Sequence, residues 1–456
     1  MTRTLPSRIP PRLLGLLLAA TTVGAAISLF SVQWCRSNGW SDPQQHIYMC
    51  YSDFSLLFTE RGLAEGLFPF VDSVPPDQVM EYPVLISLVA GALAQAVLAL
   101  GPAHPEAQTL LFHDLNVLAV IGCWLGTVLV TAVLTQRRGE ALMVALAPGI
   151  ILTLNVNWDM WAVFLGAFGL LLWARGRSGW AGILLGLGAA MKLYPLFFLG
   201  AILVLCVRAG RIRSFLAVLL ASAVTWLMVN LPFMLTSFEQ WATFYRFSSE
   251  RDVSFSSMWL AFVWTGWSGE TFSLISNGLF LLCCLGIAWL GWAAPLRPRA
   301  GQLCFLIVAS FLLLGKVYSP QFVMWLIPLV VLASPRLRQF VIWQAAEVFH
   351  WASVWLISAK ITSEEAGGSF GQGHLLFEVL YGLGVLAHMA ALIWLVVRVV
   401  RDILHPEEDP VRRQEAGEDE SSAETGVDPL AGPTAGRPDA FALPGLGRET
   451  ELRLRW

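Results

Sequence analysis

Long apolar runs separated by short polar turns repeat along most of this chain, a spacing typical of membrane-spanning helices. The first run, residues 13–30, follows Arg3, Arg8 and Arg12. No small-residue cleavage site follows it, so we interpret it as a retained membrane helix rather than a signal peptide. The arginines before it place the N-terminus in the cytoplasm. The polar stretch after it, residues 33–81, is poor in Lys and Arg and predicts an external loop.

Later clusters of arginine predict the sidedness of the remaining helices. By the positive-inside rule all of them lie in the cytoplasm; they occupy residues 137–138, 175–177, 208–213, 297–299, 336–338 and 398–401. Three apolar stretches between clusters each allow two crossings of about 16 residues, roughly 24 Å long. Polar turns divide these stretches near the outer side, at residues 155–159, 192–195 and 316–320. Single longer helices are predicted at residues 215–235, 272–293, 340–358 and 375–400.

One apolar segment, residues 82–101, has the length of a crossing but does not fit this sidedness. If it crossed the membrane, the arginines at 137–138 would lie outside. We therefore predict an interfacial or re-entrant helix there, and a second span at residues 111–134. The predicted fold is an all-α polytopic membrane protein with about twelve transmembrane helices. Its long first external loop, residues 33–110, contains interfacial helices.

Composition supports this class and divides the chain in two. Hydrophobic residues make up 56% of the 456 residues and charged residues 13%, which excludes a soluble enzyme, a disordered protein and a nucleic-acid binder. The last stretch, residues 405–456, carries a net charge of −6 in a total of −3 and is rich in Pro, Gly and Glu. We predict a transmembrane domain over residues 1–404 and a disordered acidic cytoplasmic tail over residues 405–456.

The seven cysteines do not form a disulfide framework. Five of them lie inside apolar runs, where cysteine packs as a small apolar side chain. Cys35 and Cys50 instead flank one polar segment, and a bridge between them would contribute about 3 kcal/mol in an extracytoplasmic loop. Two unrelated free thiols are an equally good interpretation of this pair.

The predicted topology brings several ionisable residues to the outer side of the membrane: Asp53, Glu81, Asp159, Lys192, Arg246, Arg251 and Lys316. Such groups cost at least about 2.5–3.5 kcal/mol each at the centre of a membrane helix and usually mark a site or a pathway. Lys192 and Lys316 occupy similar turns, Lys-Leu-Tyr-Pro and Lys-Val-Tyr-Ser-Pro. A lysine there offers a point charge to a phosphate, or its ammonium group reaches outward to the lipid headgroups.

Each carboxylate and arginine of this set has a simpler alternative role. Asp53 is either a catalytic group or a solvated loop carboxylate, and Asp159 is a helix cap with or without a site role. Glu81 also fits the entry to an interfacial helix. Arg246 and Arg251 belong either to a surface loop or to a contact with an anionic or sugar-bearing ligand. A further ionisable pair, Glu347 and His350 on an apolar helix, is interpreted as a buried hydrogen-bonded pair without a catalytic role.

Phosphate-binding loops, zinc-protease motifs and cysteine–histidine sets with metal-ligand spacing are missing from the sequence. We therefore expect no metal site and no cofactor. A secondary transporter is the main alternative to an enzyme, because broken helices with polar turns also mark transport sites. We favour an enzyme, since the polar breaks lie on one face and the chain shows no inverted repeat.

Five short motifs follow one another in a recognisable order: Tyr-Ser-Asp, Glu-Tyr-Pro, Val-Asn-Trp-Asp, Lys-Leu-Tyr-Pro and Lys-Val-Tyr-Ser-Pro-Gln. Together with an acidic first loop they resemble the GT-C membrane glycosyltransferases, and among them glycosyltransferase family 87, polyprenyl-phosphate-mannose-dependent mannosyltransferases. The resemblance extends over about residues 13–404. It implies a polyprenyl-phosphate-sugar donor, a lipid or glycan acceptor and inverting transfer on the extracytoplasmic face of the plasma membrane. It also implies a catalytic aspartate in the first external loop, which corresponds to Asp53.

This resemblance assigns expected roles to the candidate residues. Asp53 is the expected general base toward the acceptor hydroxyl. Lys192 and Lys316 are the expected partners of the leaving phosphate, with Arg246 and Arg251 in reserve. The remaining candidates are expected to hold the sugar or the acceptor; they are Glu81, Asp159, Tyr194, Tyr318 and Gln321. The expected partners are the lipid-linked donor, the acceptor and membrane lipids, with no nucleic acid.

Overall fold

A computed structural model describes residues 9–135, 137–254, 256–416 and 428–444. Over these residues the chain is all-α, with short 3-10 turns and no β-strand, which confirms the predicted fold class. The helices are α1 (Pro11–Ser31), α2 (Gln33–Asn38), α3 (Gln44–Ile47), α4 (Asp53–Glu60), α5 (Val84–Leu100), α6 (Pro105–Leu134), α7 (Leu142–Ala145), α8 (Pro148–Thr153), α9 (Asp159–Ala174), α10 (Ser178–Met191), α11 (Phe198–Arg208), α12 (Ile212–Thr236), α13 (Phe238–Glu250), α14 (Gly269–Ala293), α15 (Ala300–Leu314), α16 (Val323–Ala333), α17 (Leu337–Glu365), α18 (Leu376–Leu404) and α19 (Pro410–Ala416).

Six of the described helices are long and apolar enough to cross a membrane: α1, α6, α12, α14, α17 and α18. Shorter apolar helices accompany them, among them α9 with α10, α11, α15 and α16. The protein is therefore a multi-pass membrane protein. The predicted breaks in two of the apolar stretches are confirmed, because α10 ends before Lys192 and α15 ends before Lys316. Each following helical segment begins with a proline in its first turn, where the missing N–H costs nothing.

The first half of the remaining apolar stretch differs from the prediction. Instead of one helix of about 16 residues, it forms a 3-10 turn and the two short helices α7 and α8. Pro148 forces the residue before it into an extended conformation and interrupts the helix. Side chains from other helices then bond the freed backbone groups. The indole N–H of Trp124 donates to Val144 O at 3.0 Å, and Gly149 N–H donates to Gln344 Oε1 at 2.8 Å.

The apolar helix α5 packs against α6, α10 and α12. Its buried residues include Ile86, Ala90, Ala94 and Val97, which recur at helical spacing along one face. This face explains why so apolar a segment folds onto the bundle. Its interfacial or re-entrant position stays a prediction.

The predicted tail packs against the bundle over its described residues, in contrast to the expected disorder. Asp409 accepts hydrogen bonds from Arg299, at 2.7 Å from Nε, and both side chains are buried. Asp439 likewise accepts from Arg208 at 2.8 Å. The acidic composition that indicated disorder thus neutralises buried arginines, which need such partners. Residues 417–427 and 445–456 lie outside the described part of the chain.

The first loop begins with a disulfide between Cys35 and Cys50, which decides between the two interpretations of these cysteines. The bridge joins α2 to the segment that leads into α4. Beside it, the indole N–H of Trp40 donates to Cys50 O at 3.0 Å. The bridge therefore constrains the chain directly before Asp53, the first residue of α4. We call the end of the bundle that carries Asp53 the site end.

Candidate active site

A cavity of about 720 Å³ opens at the site end of the bundle, within the size range of small-molecule sites. Seven of the residues predicted from the sequence line it: Asp53, Glu81, Lys192, Tyr194, Arg251, Lys316 and Gln321. Asp159 lies behind the wall and contacts Lys192. Arg246 and Tyr318 are not part of the lining. Motifs that are far apart in the sequence therefore meet around one cavity.

Asp53 is held in the cavity wall by its backbone and by two tyrosines. Its N–H donates to Val156 O at 2.8 Å, which docks the start of α4 on the Val-Asn-Trp-Asp motif. The hydroxyl of Tyr51 donates to Oδ1 at 2.7 Å, and the hydroxyl of Tyr82 donates to Oδ2. The N-terminus of α4 also favours a negative charge at this position. Asp53 is therefore a positioned carboxylate rather than a solvated loop residue.

The environment of Asp53 changes its basicity. Burial raises the pKa of the Asp53 carboxyl above its ordinary value, because the charged form loses contact with water. The hydrogen bonds from Tyr82 and Tyr51 and the charge of Lys192 oppose this change. The net result is a carboxylate more basic than a free aspartate, with both oxygens oriented by donors.

Lys192 and Asp159 form an ion pair at the break between two helices. The Nζ of Lys192 lies 3.1 Å from Oδ1 of Asp159, a fully buried residue, and 4.6 Å from the ring centre of Tyr82. Asp159 is the first residue of α9 and not its N-cap, which is Trp158, and no side chain caps this helix end in the described structure. The backbone N–H of Asp159 donates to Asn157 Oδ1 at 3.0 Å. Lys192 thus faces the cavity from a fixed position instead of reaching toward headgroups.

Glu81 is occupied by a partner that the sequence analysis did not identify. Arg61 donates from Nε to Glu81 Oε2 at 2.7 Å and from Nη2 to Oε1 at 2.9 Å. Both side chains line the cavity. This two-point pairing neutralises the charge of each residue and makes a rigid patch on the wall.

The second lysine turn differs from the first in the surroundings of its ammonium group. Lys316 Nζ donates to three backbone carbonyls, those of Ser249 at 2.8 Å, Arg251 at 2.6 Å and Gly269 at 3.2 Å. An ammonium group has three protons, so these carbonyls take all of them. Lys316 therefore fastens the end of α13, the residue after it and the start of α14 to the turn before α16.

The two reserve arginines also differ from each other. Arg251 lines the cavity, donates from Nη2 to Ser254 Oγ at 2.9 Å and lies over the ring of Phe247. No carboxylate pairs with it among the residues the structure describes. Arg246 instead pairs with Glu239 on an exposed face, with 48% of its side chain accessible. Of the two, only Arg251 offers an unpaired positive charge to a ligand in the cavity.

The remaining predicted contacts separate into cavity and core positions. Tyr194 stacks on Trp325 at 4.5 Å between ring centres, and both line the cavity. Gln321 also lines it, from the 3-10 turn before α16. Tyr318 points away and donates its hydroxyl to Glu347 Oε2 at 3.1 Å. Tyr318 is therefore placed to orient Glu347 rather than a sugar.

Several lining residues were missed from the sequence. Tyr51 and Tyr82 are the clearest, although each stands next to or near a predicted residue within a motif. His46 and Trp355 form an aromatic wall with Tyr51, at 5.4 and 5.5 Å from its ring centre. No local signal identifies Trp355, which lies on α17, far from the first loop in sequence.

A group of side chains that could hold a metal ion lies apart from the cavity lining. Among the described residues such a set is formed by Glu347, His350 and His388, all buried. The sequence analysis predicts a hydrogen-bonded pair of Glu347 and His350. Both are buried as predicted, but His350 Nδ1 is 3.8 Å from Glu347 Oε2, which is too long for a hydrogen bond.

Comparison with known proteins identifies the family of this chain. One solved structure similar to this chain is the crystal structure of ArnT from Cupriavidus metallidurans bound to undecaprenyl phosphate. The TM-score is 0.43 and the identity 15%, over 88% of this chain and 80% of that one. No curated protein matches the chain. The family model of glycosyltransferase family 87 matches residues 89–320, just over half of the sequence, and the chain belongs to this family.

Proposed function

We propose that this protein transfers mannose from a polyprenyl-phosphate donor to a lipid or glycan acceptor, with inversion at the anomeric carbon. The reaction would take place on the extracytoplasmic face of the plasma membrane. One observation supports this function above the others. Asp53, whose carboxylate is oriented by hydrogen bonds, and Arg251, whose guanidinium pairs with no carboxylate in the described structure, line the same cavity. A base and a cation in one cavity are what a transfer from a sugar phosphate requires.

Asp53 acts as the general base in this proposal. The acceptor hydroxyl attacks the anomeric carbon, a new C–O bond forms, and the hydroxyl proton moves to the Asp53 carboxylate. Tyr51 and Tyr82 each occupy one lone pair of the carboxylate oxygens, so the carboxylate keeps further acceptor capacity for the incoming hydroxyl. A single carboxylate suffices, because direct displacement on the donor inverts the configuration in one step.

The donor phosphate is the leaving group. The bond between the anomeric carbon and the phosphate oxygen breaks, and its electron pair stays on that oxygen. Arg251 stabilises this growing charge, and Lys192 adds a second positive charge whose own counter-ion is Asp159. The phosphate leaves in its ionised form, so the site needs no second acid. Arg61, Lys192 and Lys316 already have partners within the protein, so Arg251 is the principal phosphate contact.

Asp53→Asn provides the test. Purified protein would be incubated with radiolabelled polyprenyl-phosphate-mannose and a membrane lipid extract, and labelled product would be measured. The amide keeps the size of the side chain but removes the base, so transfer should fall about 10²- to 10⁴-fold. Asp77 is an exposed aspartate of the same loop, so Asp77→Asn is the matched control, and this variant should show normal transfer. More than half of normal turnover in Asp53→Asn would disprove the assigned base, and transfer from an arabinosyl donor alone would disprove the assigned sugar.

A further inference from the structure

Three buried side chains meet between the two longest helices of the second half of the chain. Glu347 and His350 lie one turn apart on α17, so the Glu-x-x-His spacing brings both to one face of that helix. His388 faces them from α18, which packs along α17. All three residues are at most 3% exposed. The set lies outside the cavity and has no part in the proposed transfer.

The atoms of this set that could bind a ligand converge on one point. His350 Nδ1 is 3.8 Å from Glu347 Oε2, and His388 Nδ1 is 3.8 Å from Glu347 Oε1. The three ligand atoms all lie within 4.8 Å of one another. Both Nδ1 atoms are buried, and neither has a hydrogen-bond partner among the residues that the structure describes. The spacing is too long for hydrogen bonds, and an ion between the atoms would need only a small contraction to reach bonding distance.

The Nε2 atoms of both imidazole rings contact the same residue, Ser256. His350 Nε2 contacts the hydroxyl of Ser256, and His388 Nε2 lies 3.4 Å from the Ser256 carbonyl oxygen. A proton on each Nε2 leaves the Nδ1 lone pairs directed at Glu347. This arrangement, with one nitrogen held by a backbone or side-chain oxygen and the other free, is the usual one for metal-binding histidines.

Glu347 is oriented by donors in the same way. Trp343 Nε1 donates to Oε1 at 2.9 Å, and the Tyr318 hydroxyl donates to Oε2 at 3.1 Å. No lysine or arginine pairs with Glu347 in the described part of the chain. A cation held between them would balance this buried carboxylate and use both nitrogen lone pairs.

We propose that Glu347, His350 and His388 bind a divalent transition-metal ion, with zinc as the occupant that this donor set favours. Two imidazoles and one carboxylate form a zinc ligand set with an open fourth position. Imidazole is also a good ligand for zinc and its neighbours among the first-row transition metals. The ion would join α17 to α18. Through the bond from Tyr318 to Glu347 it would also fix the turn that presents Lys316 and Gln321 to the cavity.

Metal content tests this proposal independently of transferase activity. The full-length protein would be purified with a streptavidin-binding tag, so that no added histidines are present, and then stripped with a chelator. The stripped protein would then be equilibrated with zinc and passed through gel filtration. Inductively coupled plasma mass spectrometry should find close to one zinc ion per chain. Glu347→Gln and His388→Gln keep the side-chain size and should bind zinc about tenfold more weakly or worse. His374→Ala removes an exposed histidine and should leave zinc binding unchanged.

Cobalt gives a second measurement on the unmodified protein, which avoids any folding defect of the variants. Co²⁺ in a nitrogen–oxygen site of this kind gives visible absorption bands, and added zinc should remove them. The proposal is overturned if the stripped protein takes up no more zinc than Glu347→Gln and shows no cobalt bands. A cobalt spectrum that is equally strong in His388→Gln would place the metal elsewhere and also overturn it.

Discussion

Among the described residues, Arg251 is the cationic residue of the cavity lining that has no carboxylate partner and keeps free hydrogen-bond donors. The substitution Arg251→Ala removes this positive charge. A hydrogen bond between a guanidinium and a phosphate contributes about 1.5–3 kcal/mol. Because 1.4 kcal/mol corresponds to a factor of ten, we expect kcat/KM to fall about 10- to 150-fold. The phosphate gains negative charge as the sugar leaves, so kcat should fall as well as KM rise. Protein stability should change little, since the Arg251 side chain donates one hydrogen bond within the described residues, to Ser254.

The assay is the initial rate of transfer from a water-soluble, short-chain mannosyl-phosphate donor, measured over a range of donor concentrations. Arg213→Ala is the matched control, because Arg213 is exposed and does not line the cavity. Arg251→Lys should recover part of the loss, since it restores the charge but not the planar group.

Arg246 gives the result that would refute this reasoning. Arg246 lies on α13, which ends directly before Arg251, but its side chain pairs with Glu239. If Arg251→Ala keeps near-normal kcat/KM while Arg246→Ala loses tenfold or more, the phosphate binds elsewhere and the charge pairing seen in the cavity does not decide its contacts.

Two further outcomes follow from the contacts of the site. Tyr82→Phe removes a hydrogen bond that stabilises ionised Asp53, so the pKa of Asp53 should rise further and the acid limb of the kcat/KM profile should move to higher pH; an unchanged or lower limb would contradict the assigned base. Lys316→Met leaves three backbone carbonyls without their donor, so thermal unfolding in detergent should show a loss of about 1–3 kcal/mol or more. Unchanged unfolding with reduced kcat/KM would instead restore Lys316 as a phosphate contact.

The helical class and the meeting of distant motifs could be predicted because each depends on local signals. Apolar runs and arginine clusters determine where helices begin and end, and a proline after Lys192 or before Gln321 marks a break. The number of crossings was harder to predict. Between Arg138 and Asp159 the backbone groups bond to Trp124 and Gln344, which lie outside that stretch, so a continuous helix is not required.

The two lysine turns show why site roles could not be assigned from the sequence alone. Lys192 and Lys316 have nearly the same neighbours in the sequence, and the same role was expected for both. Their ammonium groups nevertheless contact different partners, a carboxylate in one case and three carbonyls in the other. Those partners come from segments more than thirty positions away, and α13 and α14 supply two of them. Charge pairing of this kind depends on packing that no local motif records.

The Val-Asn-Trp-Asp motif contributes mainly to the position of Asp53. Ser52 donates to Asn155 O at 2.6 Å and Asp53 N–H donates to Val156 O, so the motif receives the start of α4. Asn155 in turn donates to Ser28 Oγ at 2.8 Å, which connects this junction to α1. These bonds hold the Asp53 carboxylate in place, and a base held in this way, as we propose for Asp53, needs no rearrangement when the acceptor arrives. We therefore propose that this motif, in which Asp159 was predicted to contact the sugar, serves the reaction through the position that it gives to the Asp53 carboxylate.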